Sequence, residues 1–289
     1  TDNVPNPNLS RHILDKRMDL INHNKIPLLI TDARDYHLLS RNITSFAPNI
    51  IIQLAAVSHA NRSNKDPFST FDHSLRTLEN ALDIAKKSVE HFIYFSSSMV
   101  YGDFKKEIVS EDSVCDPIGI YGSLKYAGEI IVKSYSNVFN LPYTIIRPSA
   151  LYGERCVSRR VGQIFIENAL MNKPLKIKGN GNELLDFTYI EDLTDGILLV
   201  IENEKSKNQI FNITNGKSRP VREMVEIIKN NFKNVKINYE DQEPFTPKRG
   251  TLDISKAKEL LGYNPQHPLE EAYPKYIKWY KQTWDQFKE

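Results

Sequence analysis

The stretch Phe92-Ile93-Tyr94-Phe95-Ser96-Ser97-Ser98-Met99-Val100-Tyr101-Gly102 decides the class of fold. Its apolar residues run in succession with no polar face, so Phe92 to Ser96 reads as a strand buried on both sides, as in a parallel sheet. Hydroxyls follow at once, at the carboxyl end of that strand, where an open α/β sheet binds its ligands. A serine run there is otherwise only a turn, so the flanking sequence must decide. Working outward, Ile26 to Thr31, Ile50 to Ala55 and Tyr143 to Arg147 read as strands of the same kind. Helical stretches lie between them. Asp66-Pro67 makes a helix start, and Phe71, Leu75, Leu78 and Leu82 recur at three- and four-residue steps. Tyr121 to Phe139 forms another helix, with Leu124, Ile130, Ile131 and Tyr135 among its apolar positions. This alternation predicts an α/β fold with a doubly wound parallel sheet.

After Tyr152-Gly153 the texture changes. Arg159 to Leu170 looks helical, turns fall at Lys173-Pro174 and Gly179 to Asn182, and Gln209 to Thr214 returns as a strand of the main sheet. Short helices are expected near Val221 to Phe232, Ser255 to Leu261 and Leu269 to Thr283, with Asn234 to Lys248 the most loop-like stretch. Residues 1–153 plus about 191–214 are therefore expected to form one domain. Residues about 154–190 and 215–289 would form a smaller α/β lobe.

Composition limits the partners. A net charge of +2 over 289 residues gives no reason to expect nucleic acid. No run approaches the ~18 apolar residues of a membrane span, and no basic-then-apolar leader opens the chain. Cys115 and Cys156 match no metal spacing and are expected to be reduced thiols in a cytoplasmic protein.

Glycine is scarce: 12 occur and none precedes Gly102. A doubly wound nucleotide-binding sheet normally opens with a strand, a glycine-rich turn and a helix whose N-terminus holds a pyrophosphate. Residues 1 to 25 offer no such turn, and Pro5 and Pro7 read as loop. A sheet without that unit leaves buried edges unpaired, at about 1–3 kcal/mol for each backbone group. An N-terminal glycine-rich βαβ unit is thus absent from this sequence and expected upstream in a longer protein.

The strongest chemical signal is Tyr121-Gly122-Ser123-Leu124-Lys125, a Tyr-x-x-x-Lys opening a helix. A spacing of four puts both side chains on one face. A lysine ammonium beside a phenol favours the phenolate and is expected to lower the tyrosine pKa from ~10 toward neutrality. Such a phenolate takes a proton from a sugar hydroxyl while hydride leaves the same carbon.

With the serine run about twenty residues earlier, the chain resembles the extended short-chain dehydrogenase/reductase family, in particular its NAD-dependent nucleotide-sugar epimerases and dehydratases of the UDP-glucose 4-epimerase type. The motifs stand in family order: Asp32; Leu54-Ala55-Ala56; Ser96-Ser97 through Gly102; Tyr121 with Lys125; Arg147-Pro148-Ser149; Asp186-Phe187-Thr188-Tyr189-Ile190-Glu191-Asp192; and Asp253-Ile254-Ser255-Lys256-Ala257 with Leu261-Gly262-Tyr263. The resemblance implies a Rossmann-type dinucleotide-binding domain with a substrate-binding lobe, NAD as cofactor and a nucleotide-diphosphate sugar as substrate. It implies that Asp32 holds the adenine amino group with the Ala33 amide alongside, and that Leu54, Ala55 and Ala56 pass the cofactor ribose and phosphates. Ser97, Tyr121 and Lys125 would be catalytic, with Lys125 also on the nicotinamide ribose and Pro148 and Ser149 against the nicotinamide. Ser58, His73 and Ser96 complete the cofactor side by position.

Departures from the family pattern also inform. Ala150 stands where many members carry an asparagine for the substrate phosphate, Leu185 where an arginine commonly stands, His73 where asparagine is frequent, and Ser58 where some epimerases have lysine. Diphosphate contacts must come partly from elsewhere. Arg249 is the first candidate, then Arg155, Arg159 and Arg160, since a guanidinium grips phosphate through paired hydrogen bonds. Family dehydratases carry an Asp-Glu pair after the catalytic hydroxyl. Here Ser98 and Met99 occupy those places and cannot act as acid and base at neutral pH.

The expectation is a C4 epimerase of a UDP-linked hexose or N-acetylhexosamine, working through a 4-keto intermediate, with Ser97, Ser98 and Tyr121 facing the sugar. The alternatives are a nucleotide-sugar reductase or dehydrogenase with exchangeable cofactor, a 4,6-dehydratase, and a non-catalytic dinucleotide-sensing module. Family members usually dimerise through two helices per subunit, here about 67–88 and 120–139, which implies a homodimer.

Overall fold

A computed structural model of the chain describes residues 7–58, 60–242 and 246–288. The main sheet holds β1 (Ile50–Gln53), β2 (His91–Phe95), β3 (Tyr143–Arg147) and β4 (Gln209–Asn212), side by side in that order and parallel throughout. The longer helices are α1 (Pro7–His23), α2 (Tyr36–Phe46), α3 (Thr77–Ala85), α4 (Ile120–Phe139), α5 (Val161–Leu170), α6 (Ile190–Glu202), α7 (Val221–Asn231), α8 (Ser255–Leu261) and α9 (Leu269–Lys288).

Successive side chains of a strand point to opposite faces, and β2 shows why Phe92 to Phe95 are apolar or aromatic on both. Phe92 and Tyr94 pack with Leu78 and Leu82 of α3 and Val132 of α4. Ile93 and Phe95 pack on the other side with Leu193 and Val200 of α6 and Ala257 and Leu261 of α8. The parallel sheet is covered on both faces, as the sequence predicts. Asn140, in the left-handed conformation, ends α4 and turns the chain toward β3.

A separate core joins Phe165 and Ile166 of α5, Met224 and Ile228 of α7, and Tyr273, Tyr276 and Tyr280 of α9. Leu9 and Ile13 of α1 belong to this core. The division drawn from sequence therefore shifts in two places: α1 packs with the smaller lobe, while Ile254, Leu261 and Tyr263 pack with the sheet. Hydrophobic contact sets such membership, and order along the chain does not.

Other expectations need correction. Ile26 to Thr31 forms no strand: Ile30 is 94% exposed, with Ile26, Leu28 and Leu29 also exposed. Strands persist by pairing backbone groups, and no strand among the described residues pairs with this segment. Pro7 begins α1 in place of a loop, proline being well suited to a first helical turn, while Pro5 lies outside the described residues. The loop-like stretch 234–248 contains a strand, Ile237–Glu240, parallel to Leu175–Lys178. The helix expected from Asp66 starts there, Asp66 Oδ1 accepting from Ser69 N at 3.1 Å, but a π-turn at Asp72–Arg76 interrupts it before α3. Among the described residues, no helix is long and apolar enough to cross a membrane. Both cysteines are free.

Candidate active site

Helix α4 lies unusually close to the end of β2. A Cβ on Gly122 would stand 2.7 Å from Met99 O, and one on Gly128 2.3 Å from the Tyr94 hydroxyl oxygen, so glycine is what permits the approach. The helix thereby sets Tyr121, Lys125 and Glu129, each one turn apart, against Phe95, Ser96 and Ser97. Lys125 Nζ donates to Phe95 O at 2.7 Å and lies 5.2 Å from the Tyr94 ring centre. Ser97 Oγ accepts from Met99 N at 3.2 Å, starting the 3₁₀ turn Ser98–Tyr101, and lies beside the Tyr121 phenol, whose ionised form it favours. The three residues singled out as catalytic are thus brought together.

Their electrostatics differ from expectation. Burial raises the Tyr121 phenol above its ordinary value, while the Ser97 hydrogen bond and the Arg160 guanidinium pull it back. Burial lowers Lys125 to about 8, with Glu129 opposing. The Lys125 ammonium is directed to the Phe95 carbonyl.

On the cofactor side, Leu54 is 62% exposed and Ala55 is exposed, leaving small, open backbone at the end of β1. The exposed Asp32 carboxylate is held at about 2, chiefly by its hydrogen bonds with Arg34, which also bridges Asp72. Asn80 Nδ2 fixes the same turn through the carbonyls of Ala33, at 3.0 Å, and Arg34. His73 Nδ1 is engaged by Ser69 O at 2.7 Å, within its own turn. Ser96, placed on the cofactor by position, instead donates its buried hydroxyl to Glu129. Pro148 O accepts from Ser98 N at 3.0 Å, tying two strand ends, and Ser149 is buried beside it. Ala150 takes a left-handed φ of 36°, a region an asparagine enters more readily.

On the substrate side, Arg160 Nη2 reaches across to Ser58 O at 2.7 Å and acts on Tyr121. Arg249 sits near both Arg160 and Glu183, its pKa lowered to about 10 by burial and the neighbouring guanidinium. Arg159 is drawn away into the smaller lobe, where Glu167 pairs with it at 3.1 Å. Arg155 is exposed, its carbonyl accepting from Arg17. Of the four arginines, Arg160 and Arg249 share the site.

Two residues were not singled out for these roles from sequence. Glu129 lies one further turn along the Tyr-x-x-x-Lys face, a signal available from spacing alone. Asp186, read only as part of a motif, is buried and accepts from Thr214 Oγ1 at 3.0 Å and from the amides of Gly216 and Leu252, each at 3.2 Å. Burial still dominates and raises its pKa to about 6. A carboxyl raised in the folded state adds stability that is complete below its unfolded value, near 3.8, and lost as pH rises through about 6. In denaturant titrations, the stability of wild type relative to Asp186→Asn should therefore fall by about 2 kcal/mol between pH 4 and pH 7.

Comparison with known proteins bears on the family and the fold. A model of the NAD dependent epimerase/dehydratase family matches residues 6–214. An uncharacterized UDP-glucose epimerase of Bacillus subtilis is 30% identical over 241 residues, covering 82% of this chain and 76% of that protein. The crystal structure of UDP-glucuronic acid 4-epimerase from Bacillus cereus, in complex with UDP-glucuronic acid and NAD, superposes with a TM-score of 0.84 at 27% identity, covering 91% of this chain and 85% of that one. UDP-glucose 4-epimerase from Thermotoga maritima, solved with UDP-glucose, gives a TM-score of 0.83 at 25% identity, covering 88% and 84%.

Proposed function

The chain belongs to the NAD dependent epimerase/dehydratase family, and on that premise we propose that it inverts C4 of a nucleotide-diphosphate sugar through a 4-keto intermediate. A UDP-linked hexose or N-acetylhexosamine is the favoured substrate, in keeping with the UDP-sugars named for its relatives. The observation that carries this reading is the meeting of the Ser97 hydroxyl and Tyr121 phenol at the carboxyl end of β2, with Lys125 one turn away.

The residues present fit a dinucleotide. Asp32 offers an exposed anionic carboxylate to the adenine amino group or a ribose hydroxyl, and the open small residues Ala55 and Ala56 let a ligand approach the backbone. Lys125, Pro148 and Ser149 border the place for the nicotinamide end. Bound NAD would supply hydride uptake and return at C4.

The remaining work falls to the chain's own side chains. Ser97 orients the C4 oxygen by a hydrogen bond. Tyr121, as phenolate, takes the proton from that oxygen as the carbonyl forms, and gives it back as the hydroxyl is restored on the other face. Ser97 and Arg160 both favour the phenolate against the cost of burial. Elimination is disfavoured, since Ser98 and Met99 supply no acid–base pair. Arg249 and Arg160 are proposed to grip the diphosphate. Arg249→Met should raise KM for the nucleotide sugar about tenfold or more with a smaller change in kcat, as for loss of a charge-assisted hydrogen bond in steady-state kinetics.

The test of function is incubation with a panel of nucleotide sugars, following C4 inversion by proton NMR. Net consumption of nicotinamide, or accumulation of a 4-keto-6-deoxy sugar, would overturn the epimerase reading. We also propose that the protein is a cytoplasmic homodimer, paired through residues about 67–88 and 120–139, where Phe68 and Phe71 of the first segment and Ile130, Val138 and Phe139 of the second are exposed.

A further inference from the structure

Glu129 and Lys125 stand one turn apart on α4 and grip consecutive residues at the end of β2. Lys125 Nζ donates to Phe95 O at 2.7 Å, and Glu129 accepts from the Ser96 hydroxyl. The next residue is Ser97, and the preceding helical turn carries Tyr121. Glu129 is itself held by Arg147 of β3 through two hydrogen bonds, at 2.9 and 2.7 Å, both side chains being buried. Arg147 Nη1 donates to the Tyr101 hydroxyl at 2.9 Å and to Glu111 O at 3.1 Å. Tyr101 in turn donates to Asn212 Oδ1 of β4 at 2.8 Å. One connected network thus runs from the catalytic helix to the carboxyl ends of β2, β3 and β4.

We propose that Glu129 is a positioning residue for the reaction: with Lys125 it clamps α4 to Phe95-Ser96, fixing the Tyr121 phenol against the Ser97 hydroxyl. The proposal rests on the epimerase reading above. A two-point grip fixes both the height and the rotation of the helix, where a single bond would leave one of them free. Bidentate pairing with Arg147 holds the carboxylate in one orientation, so that its Oε1 stays on Ser96.

Glu129 also bears on the lysine's charge. The groups facing Lys125 are the Phe95 carbonyl and Tyr94 ring from β2 and the Glu129 carboxylate from its own helix; those facing Glu129 are Arg147, Ser96 and Tyr94, with Cys115 and Tyr143 within its field. Glu129 opposes the desolvation that lowers Lys125 to about 8. Loss of the carboxylate favours the uncharged amine and moves the midpoint further down.

Glu129→Gln is the test, with Glu129→Gln/Arg147→Met as a second variant that does not leave the Arg147 guanidinium without its partner. Two readouts apply to whichever variant folds by circular dichroism: kcat and KM against pH, and titration of Lys125 by NMR of lysine-labelled protein, assigned with Lys125→Met. A misplaced phenol should lower kcat about 10²-fold at little-changed KM. The lysine midpoint should fall by about one unit. A folded variant with wild-type kcat, or with an unmoved lysine midpoint, overturns the proposal. Absence of turnover by the wild type across the sugar panel sinks the epimerase reading alone, and the lysine titration still decides the clamp.

Discussion

Tyr121→Phe should lower kcat for C4 inversion by about 10²–10⁴-fold while nucleotide-sugar binding, measured by calorimetry, stays nearly unchanged. The substitution removes one oxygen and keeps the ring. Among the described residues, the neighbours of Tyr121 at the β2 end are poorly suited to replace it as base. Lys125 is turned to the Phe95 carbonyl, and the Ser97 hydroxyl is too weak an acid to carry the proton unaided. Retention of more than a tenth of wild-type kcat would mean that another group moves the proton. A non-catalytic dinucleotide sensor would show neither the activity nor its loss.

Arg147→Met should destabilise the fold by about 3–5 kcal/mol, the usual result of leaving one member of a buried ion pair alone. The partner, Glu129, is fully buried and accepts two hydrogen bonds from the guanidinium. At roughly 2–4 °C for each kcal/mol in a protein of this size, the melting temperature should fall by about 10 °C. A melting temperature within about 2 °C of wild type would show that water reaches Glu129 or that another cation replaces Arg147.

The order of strands and helices was legible because each β2-like run is apolar on both faces and each helix carries its own periodicity. Ile26 to Thr31 misled for the same reason: apolar content announces a buried strand only where a neighbouring strand accepts its backbone. The helix from Asp66 was legible at its start, where the cap is local, and illegible at the π-turn, which depends on how α3 meets its neighbours. The assignment of α1 to the smaller lobe was also hidden, since Leu9 and Ile13 find their partners among residues more than a hundred positions away.

The chemistry divides along the same line. By itself the sequence determined the parallel sheet and the residue types of the site, because strand burial, helical spacing and the Tyr-x-x-x-Lys interval are local properties of consecutive residues. Only the tertiary structure decided which side chains act together: that Arg160 faces the phenol while Arg159 turns to Glu167, that Ser96 serves the helix, and that the Lys125 ammonium meets a carbonyl instead of the phenol. Charge and hydrogen bonding act through space, over a few ångströms between residues far apart in the chain, and no spacing along the backbone encodes those distances.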